Sequence, residues 1–257
     1  MEKLSVIIIT LNEEENLVRC LSSLKGVADE VVVVDSFSTD GTLDVCRRYG
    51  ARVVQHTFVD YVEQHRFADT QATYDLIFSI DADEALSDEL ALSILKVKEH
   101  RDFDGYLMNR LANYCGKWIY HSGWYPDRKL RLYDRRKGRW EGVKIHESFV
   151  LKPGAETGFL KGELLHYSYF STSQHRQKVE NFTTLMAASY FEQKINAPVW
   201  KVWFSPALKF IMGYFVKMGF LDGRAGWQIC TISAGATYKK YRKLRKFYQQ
   251  QKTPQIS

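Results

Sequence analysis

Apolar residues in the first hundred positions fall into two alternating patterns. Short β-branched runs are typical of strands that are buried on both faces of a parallel sheet, and apolar residues three or four positions apart are typical of amphipathic helices. The predicted strands cover residues 4–9, 31–34, 52–54 and 76–80, and the predicted helices cover 13–24, 42–49, 61–73 and 87–100. Strands that alternate with helices over short connections predict an α/β fold, in which helices cover both faces of a mostly parallel sheet.

The pattern changes after Asp104. Aromatic residues, glycines and arginines alternate there in short pieces, which predict strands and loops that cover one end of the sheet. The short strands are predicted at 106–108, 129–133 and 144–150, and a long helix at 174–191. The chain therefore divides into three predicted regions, 1–104, 105–195 and 196–257.

Charge is distributed unevenly along the chain. The formal net charge is +6, but from Asn196 onward eleven lysines and arginines accompany a single acid, Asp222. Within this basic region, residues 199–221 are strongly apolar. Three lysines at a spacing of eight interrupt that run, and Pro206 is expected to break any helix there. The lysines are Lys201, Lys209 and Lys217.

Three charges within the apolar run disfavour a membrane-spanning helix, which needs about 20 mostly apolar residues. The run and the basic residues after it instead predict an amphipathic segment that lies on an anionic membrane surface. The alternative is a helical hairpin that packs on the body of the protein with its lysines in water.

Polar side chains follow three of the four predicted strands. They are Thr10, Asn12 and Glu13 after the first strand, Asp35 after the second, and Asp81-Ala82-Asp83 after the fourth. Because ligands of open parallel sheets bind beyond the carboxyl ends of the strands, we expect these residues to meet at one edge. Gln64 and Arg66 lie on the helix between the third and fourth strands. They either reach a nucleotide or its phosphates from there, or belong to a solvated helix face.

Asp81 and Asp83 flank a small residue directly after an apolar strand. In an extended segment, residues i and i+2 point to the same side, so both carboxylates are expected to face one ligand. Their oxygens suit Mg²⁺ or Mn²⁺, which also binds diphosphate oxygens and neutralises the charge on a departing nucleotide diphosphate. The alternative is that these acids cap the next helix. Asp35 is expected to accept a hydrogen bond from a base N–H group.

Three motifs of the first half occur in order at fitting intervals. They are Thr10-Leu11-Asn12-Glu13-Glu14-Glu15-Asn16-Leu17, the stretch 31–42 with Asp35-Ser36-Phe37-Ser38-Thr39-Asp40-Gly41-Thr42, and Ser79-Ile80-Asp81-Ala82-Asp83-Glu84. In these motifs the chain resembles the GT-A glycosyltransferases of family 2. The later stretches look like bacterial lipopolysaccharide core glucosyltransferases of that family; they are 123–133, His146-Glu147, 166–169 and 220–226.

This resemblance implies a Rossmann-like GT-A domain with a C-terminal helical extension that associates with a membrane. Residues 1–104 would form the nucleotide-sugar-binding half, 105–195 the acceptor-binding and catalytic half, and 196–257 the basic amphipathic region. Asp35 would bind a uracil-like base, Asp81 would lie near the ribose and the metal, and Asp83 would ligate the metal. The nucleotide-sugar site would further include Thr10, Asn12, Glu13, Gln64, Arg66 and Ala82.

The resemblance also implies catalytic and acceptor residues. Members of the family invert the anomeric centre, so a carboxylate must deprotonate the acceptor hydroxyl. The candidate base is Glu147, with Glu141 and Asp127 in reserve. His166 is a candidate further metal ligand, with a structural role as the alternative. The predicted acceptor residues are Trp124 and two arginines suited to clamp acceptor phosphates, Arg128 and Arg131.

The sequence therefore predicts an inverting, metal-dependent hexosyltransferase whose donor is a UDP-sugar, with UDP-glucose as the first choice. The predicted acceptor is a lipopolysaccharide core or a related glycolipid, or alternatively a capsule or exopolysaccharide lipid intermediate. A nucleotidyltransferase is disfavoured because the segment after the first strand is acidic and lacks glycine. The acidic ligand edge argues against a nucleic-acid partner. The N-terminus shows no signal-peptide pattern, which predicts a cytoplasmic protein, peripheral on the cytoplasmic face of the inner membrane.

Overall fold

The computed structural model describes residues 1–143 and 146–252, with the backbone alone at Val143, His146 and Lys252. Residues 144 and 145, where the strand predicted at 144–150 begins, lie outside the described residues. The chain forms two compact units. The first comprises Met1–Leu111 and Asp127–Tyr167, and the second comprises Ala112–Pro126 and the chain from Ser168 onward. The predicted regions 1–104, 105–195 and 196–257 carry functional roles, which this division by compactness does not test.

The first unit begins with the predicted alternation of strands and helices. Its parallel strands lie in the order β3-β2-β1-β4. They are β1 Leu4–Thr10, β2 Glu30–Asp35, β3 Arg52–Gln55 and β4 Leu76–Asp81. The intervening helices are α1 Glu14–Ser23, α2 Thr42–Arg48 and α3 Tyr61–Gln71. Alternate strand residues enter two cores on opposite faces, since Val6 and Ile8 pack in one cluster and Ile7 packs in the other.

Antiparallel strands extend this sheet. β8 pairs with β4, and the sheet continues in the order β4-β8-β6-β11-β5. β9 and β10 form a separate antiparallel pair. The elements are β5 Glu84–Leu86, α4 Asp88–Glu99, β6 Gly105–Tyr114, β7 Lys117–Ile119, β8 Asp127–Asp134, β9 Gly138–Val143, β10 His146–Leu151 and β11 Thr157–Tyr169. Ser87 caps α4, because its hydroxyl oxygen accepts the Leu90 N–H at 3.3 Å.

Helices dominate the second unit. They are α5 Thr172–Glu192, α6 Val199–Ile211 and α7 Gly223–Lys252, with a π-helical turn at Met212–Val216 and a 3₁₀ turn at Gly219–Asp222 between the last two. Within the described residues, no helix has both the length and the apolar character that crossing a bilayer requires.

Pro206 lies inside α6, so the expectation that it breaks the helix is wrong. Proline removes one backbone donor and crowds the preceding turn, and here these effects are absorbed within a continuous helix. The regular helix ends five residues later, where the π-helical turn begins.

Asp222 anchors the start of α7 within the second unit. Its buried carboxylate accepts the backbone N–H groups of Tyr120 and His121 at 3.2 and 3.0 Å, and it lies 3.0 Å from the His121 imidazole. Close backbone packing accompanies this anchor, because a Cβ at Gly226 would lie 1.8 Å from the carbonyl oxygen of Gly219. The motif at 220–226 therefore has a structural role in this unit.

Candidate active site

The polar ends of three parallel strands coincide at one level of the sheet. Thr10 is the register partner of Asp35, and Asp81 is the register partner of Ile9, which directly precedes Thr10. These three polar residues are the last residues of β1, β2 and β4. The edge predicted from the sequence is thus a real feature of the first unit.

Asp35 organises the loop that follows β2. Its side chain is buried and accepts hydrogen bonds from the Ser38 backbone N–H at 3.0 Å, from the Ser38 hydroxyl and from the Gln55 amide at 3.2 Å. Asn12 holds the same loop from the other side, since its amide oxygen accepts the Thr39 N–H at 2.8 Å. A carboxylate offers about four acceptor positions, so Asp35 retains capacity for one more donor.

Thr10 and Glu13 lie beside this loop. The hydroxyl oxygen of Thr10 is buried and has no hydrogen-bond partner among the residues that the structure describes. A buried polar atom without a partner costs about 1–3 kcal/mol, which a ligand that bonds to it would recover. The Glu13 carboxylate accepts the side-chain amide of Asn16 at 2.7 Å, and the Glu13 N–H donates to the Thr42 hydroxyl at 2.9 Å.

Gln64 and Arg66 separate in the structure. Gln64 is buried, donates to the Ser36 hydroxyl at 3.0 Å and lies 2.9 Å from the His56 imidazole, so it contacts the loop after β2. Arg66 donates to the carbonyl oxygen of Trp140 at 3.1 Å and pairs with Glu63 at 2.6 Å. Gln64 therefore contacts the loop after β2, whereas Arg66 is held by Trp140 and Glu63; a role in nucleotide binding stays a prediction for both.

The segment Asp81–Glu84 is a tight turn, so the expectation of an extended DxD segment is wrong. β4 ends at Asp81, Ala82 and Asp83 form the turn, and β5 starts at Glu84. Within a turn, side chains at i and i+2 do not share one direction. Asp81 instead pairs with Arg131, at 2.7 Å between Oδ2 and Nη2, and Asp83 Oδ2 lies 3.3 Å from His166 Nε2.

The charges at this turn compensate one another. Burial opposes the ionisation of Asp81, but Arg131 and more distant cationic groups lower its pKa to about 2. Burial raises the pKa of Glu84, and the neighbouring Asp81 raises it further against the opposing effect of Arg131 and Arg110. Burial likewise opposes the charge of Arg131, yet Asp81 and Glu84 raise its pKa above the usual value. Arg131 therefore stays cationic beside Asp81.

Tyr61 links the catalytic candidate to this edge. Burial raises the pKa of its phenol, and four carboxylates add to that rise. In decreasing order of effect they are Glu147, Asp81, Asp83 and Glu13. Because the charges of all four carboxylates act on the same phenol, these predicted residues lie in one neighbourhood. Sequence reasoning missed Tyr61, since an aromatic residue at the start of a helix carries no signal of chemistry.

The sequence identified Glu84 only as an acid that follows the fourth strand, and it gave no role to His65. Glu84 is fully buried and pairs with Arg110 at 3.3 Å. Its position directly after the two aspartates was the available signal. His65 is buried and stacks on Trp140 at 3.9 Å between ring centroids, and its Nδ1 lies 3.5 Å from the Ser79 hydroxyl. Burial lowers the pKa of His65 to about 3, so this imidazole is neutral at physiological pH.

The acceptor candidates occupy different surroundings. Arg128 lies over the ring of Phe159, with its guanidinium carbon 5.6 Å from the ring centroid. Trp124 belongs to the second unit, where its ring packs edge-on against Tyr114 at 5.8 Å. The guanidinium of Arg131 is paired with Asp81. A role in acceptor binding stays a prediction for Arg131, Arg128 and Trp124.

The donor set at the turn fits a divalent cation. Asp83 supplies a carboxylate, a ligand type that suits Mg²⁺ and Mn²⁺, and His166 supplies an imidazole nitrogen, which is a common metal ligand. Across 1–143 and 146–252, no group of three or more His, Cys, Asp or Glu side chains is arranged to hold a metal ion. Two protein donors suit a cation whose remaining positions are taken by the oxygens of a bound diphosphate.

Comparison with known proteins identifies the family. The model of the glycosyl transferase family 2 matches residues 5–155. The chain belongs to glycosyl transferase family 2. It is a glycosyltransferase, and the sheet described above is a mixed α/β, Rossmann-like GT-A sheet with helices. The resemblance read from the three motifs is thus confirmed.

Curated relatives of this family 2 enzyme extend over nearly its whole length. It is 30% identical to the lipopolysaccharide core biosynthesis glycosyltransferase LpsC of Rhizobium meliloti, over 93% of this chain and 93% of that protein. It is 29% identical to a glycosyltransferase of Rickettsia typhi, over 95% of this chain and 87% of that protein.

Solved structures are more distant. One is the glucosyl-3-phosphoglycerate synthase of Mycobacterium tuberculosis in complex with Mn²⁺ and UDP-glucose, which is 21% identical over 44% of each chain with a TM-score of 0.37. Residues 1–349 of TarS from S. aureus are 16% identical over 99% of this chain and 94% of that chain, with a TM-score of 0.42. At these TM-scores, the likeness supports no conclusion about the ligands of this enzyme.

Proposed function

We propose that this enzyme transfers a hexose, with inversion and with the help of a divalent cation, from a UDP-sugar to a lipopolysaccharide core or related glycolipid. UDP-glucose is the proposed donor. The observation that carries this proposal is the coincidence of Thr10, Asp35 and Asp81 at one level of the sheet of a family 2 glycosyltransferase. The residues of 1–104 would bind the donor, and those of 105–195 would serve the acceptor and catalysis.

Three features of the donor edge support nucleotide binding. Asp35 is fixed by Ser38 and Gln55 and retains capacity to accept one base N–H group. The buried hydroxyl of Thr10 would bond to the same base or to the ribose. Gln64 keeps the loop after β2 in place through Ser36. Asn12 and Glu13 line the loop, and Arg66 and Ala82 complete the proposed donor residues.

Asp83 and His166 are the proposed cation ligands, with Asp81 beside them. A bound cation would supply positive charge that stabilises the departing nucleoside diphosphate. Asp83 is well suited to bind a cation because its carboxylate is partly exposed. The backbone of Asp83 is fixed, since its carbonyl oxygen accepts the Tyr167 N–H at 2.9 Å.

Glu147 is the proposed general base. Inversion requires one carboxylate on the acceptor side that removes the proton of the attacking hydroxyl. Glu147 lies on β10 opposite Gly142 of β9. Its charge raises the pKa of both Tyr61 and Arg131. The charge of Asp81 raises the pKa of the same two residues, which supports a position for the base near the donor edge.

The proposed acceptor is a glycolipid core, for which the relationship to LpsC is the support; a capsule or exopolysaccharide intermediate remains the second candidate. Trp124 and Arg128 are its proposed contacts, whereas the guanidinium of Arg131 is paired with Asp81. We further propose that the second unit binds an anionic membrane at the cytoplasmic face of the inner membrane. α6 exposes large aromatic side chains beside Lys201 and Lys209, which favours an apolar and anionic partner surface.

A donor panel tests the proposed reaction. The purified enzyme is incubated with UDP-, GDP-, ADP- and dTDP-sugars with Mn²⁺ or Mg²⁺, and thermal shift and slow donor hydrolysis are measured. UDP-glucose with a divalent cation is expected to give the largest response, and Asp83→Asn is expected to remove its cation dependence. A response confined to a sugar of another nucleotide would contradict the proposed donor. A cation-independent response of the parent enzyme would contradict the proposed metal.

A further inference from the structure

The guanidinium of Arg131 is buried beside the turn Asp81–Glu84. Its side chain is only 7% exposed, and its Nη2 lies 2.7 Å from Asp81 Oδ2 and 3.8 Å from Glu84 Oε1. A guanidinium that is buried against two carboxylates is poorly accessible to a diffusing phosphate. Its main effect is therefore on the turn itself.

Glu84 and Arg110 extend this ion pair into a network. Glu84 Oε2 accepts the backbone N–H of Asp81 at 3.0 Å, and Glu84 Oε1 lies 3.3 Å from Arg110 Nη1. Arg110 Nη2 in turn lies 2.7 Å from Asp127 Oδ2. The partners come from β4, β5, β6 and β8, so four strands fix the backbone and the side chain of Asp81. Loss of one member would leave a buried charge uncompensated, which is strongly unfavourable.

Asp83 lies outside this network. Its side chain is 24% exposed, against 30% for Asp81, and it faces the imidazole of His166. Among the described residues, no lysine or arginine forms an ion pair with Asp83. The two aspartates of one motif thus differ in charge compensation: Asp81 has a buried cation of its own, and Asp83 does not.

We propose that Arg131 is a positioning residue that occupies one oxygen of Asp81 and so directs the divalent cation to Asp83. This inference depends on the proposed function for the presence of a cation and a nucleoside diphosphate. A dication close to Arg131 would be repelled by the guanidinium, whereas the Asp83 side of the turn has no such repulsion. Asp81 keeps Oδ1 for the donor, in an orientation that Arg131 and Glu84 fix.

A double-mutant cycle on Mn²⁺ affinity tests this division of roles. Mn²⁺ binding in the presence of UDP is followed by the loss of the free-ion electron paramagnetic resonance signal, so no turnover is needed. Asp83→Asn is expected to weaken Mn²⁺ binding at least about tenfold, and Asp81→Asn less than about threefold. Arg131→Gln is expected to tighten binding about threefold or more by freeing Asp81, and adding Asp81→Asn to it should remove that gain.

Two further variants serve as controls for this experiment. Arg131→Lys keeps the charge but loses the planar fork, and it is expected to behave between the parent and Arg131→Gln. Arg47→Gln removes an exposed ion pair with Asp44 on α2 and is expected to leave Mn²⁺ affinity unchanged. Thermal unfolding of each variant reports whether it folds. If Arg131→Gln does not fold, Arg131→Lys replaces it in the cycle.

Two results would overturn the inference. If Asp81→Asn alone weakens Mn²⁺ binding as much as Asp83→Asn, Asp81 is itself a ligand and Arg131 does not withhold it. If the effects of Asp81→Asn and Arg131→Gln simply add, the two residues are not coupled at the cation. By contrast, a parent enzyme that binds no Mn²⁺ with UDP would overturn the proposed donor and cation, and this inference with them.

Discussion

Charged and apolar side chains are distributed in opposite ways in the two compact units. In the first unit, Glu84 and Arg131 are buried beside Asp81, and the three charges compensate one another at the candidate active site. In the second unit, α6 and the turns after it expose large apolar side chains, among them Trp203 at 65% and Phe204 at 70%. A soluble surface seldom carries so many exposed aromatic residues in one segment unless another surface covers it.

The difference separates two tasks that one chain can perform. A buried ionic network fixes a few atoms in space, which suits recognition of a donor and a cation. An exposed aromatic and basic segment suits the fluid, anionic lipid surface proposed above. We therefore expect catalysis to respond to substitutions in the first unit, and lipid binding to respond to those in the second.

Glu147→Gln gives the largest expected effect. Removing a general base lowers rates by about 10²–10⁴-fold, so kcat for sugar transfer should fall by that factor, while KM for the donor changes little. Binding to anionic vesicles should be unchanged, because the substitution lies in the first unit. Transfer that continues at the parent rate would move the base to another carboxylate, and Glu141→Gln and Asp127→Asn are the variants to measure next.

Substitution of the exposed aromatic residues of α6 should produce the next largest effect. Each fully buried large apolar side chain contributes about 1.5–3 kcal/mol, so the triple variant Trp200→Ser, Trp203→Ser and Phe204→Ser should weaken binding to anionic vesicles by about 100-fold or more. Sedimentation with vesicles of phosphatidylglycerol measures this. Leu92→Ser, an equally exposed apolar residue on α4, is the matched control and should bind as the parent does.

Two outcomes would change this picture. Equal vesicle binding by the triple variant and the parent would contradict the proposed membrane role of α6 and would favour the alternative, a helical hairpin packed on the body of the protein. Loss of cation-dependent donor binding in the triple variant would show that the two tasks are not separable.

His65 gives the smallest predicted effect and tests the buried character of the first unit. Its pKa is about 3 in the folded protein and about 6.5 in an unfolded chain, because burial disfavours the charged form. The unfolded chain therefore binds the extra proton first, and stability is lost as pH falls below about 6.5 toward 3. Between pH 7.5 and 5.0 this residue should lower the free energy of unfolding by about 2 kcal/mol.

His65→Phe keeps a ring that stacks on Trp140 and removes the titrating group. Urea unfolding at both pH values should show that this variant loses about 2 kcal/mol less than the parent over the same interval. His175, which burial also keeps at a low pKa of about 4, is present in both proteins and cancels in the difference. Identical pH dependence of the two proteins would mean that His65 is solvated in solution.

Much of the first unit was predictable from local pattern. The β-branched runs fixed β1, β2 and β4 to within one or two residues, and the polar residues that end them coincide in register as expected. This succeeded because a buried parallel strand is a short apolar run and its end is marked by the first polar residue. The resemblance to family 2 was readable for the same reason, since its motifs occur at those strand ends.

Contacts between distant segments were not predictable. Arg131 and Asp81 are 50 residues apart, and His166 and Asp83 are 83 residues apart. The spacing i, i+2 suggested two equivalent aspartates, but a turn between β4 and β5 sends them to different partners. Similarly, Pro206 was expected to end a helix that in fact continues through it.

The sequence by itself determined the family, the strands that build the donor edge, and the strong basic bias of the last sixty residues. The tertiary structure decided which charges neutralise each other and which stay available to a ligand. The physical reason is that a carboxylate is defined by its nearest cation and its burial, and both depend on strands that are far apart in the chain and adjacent only in the folded sheet.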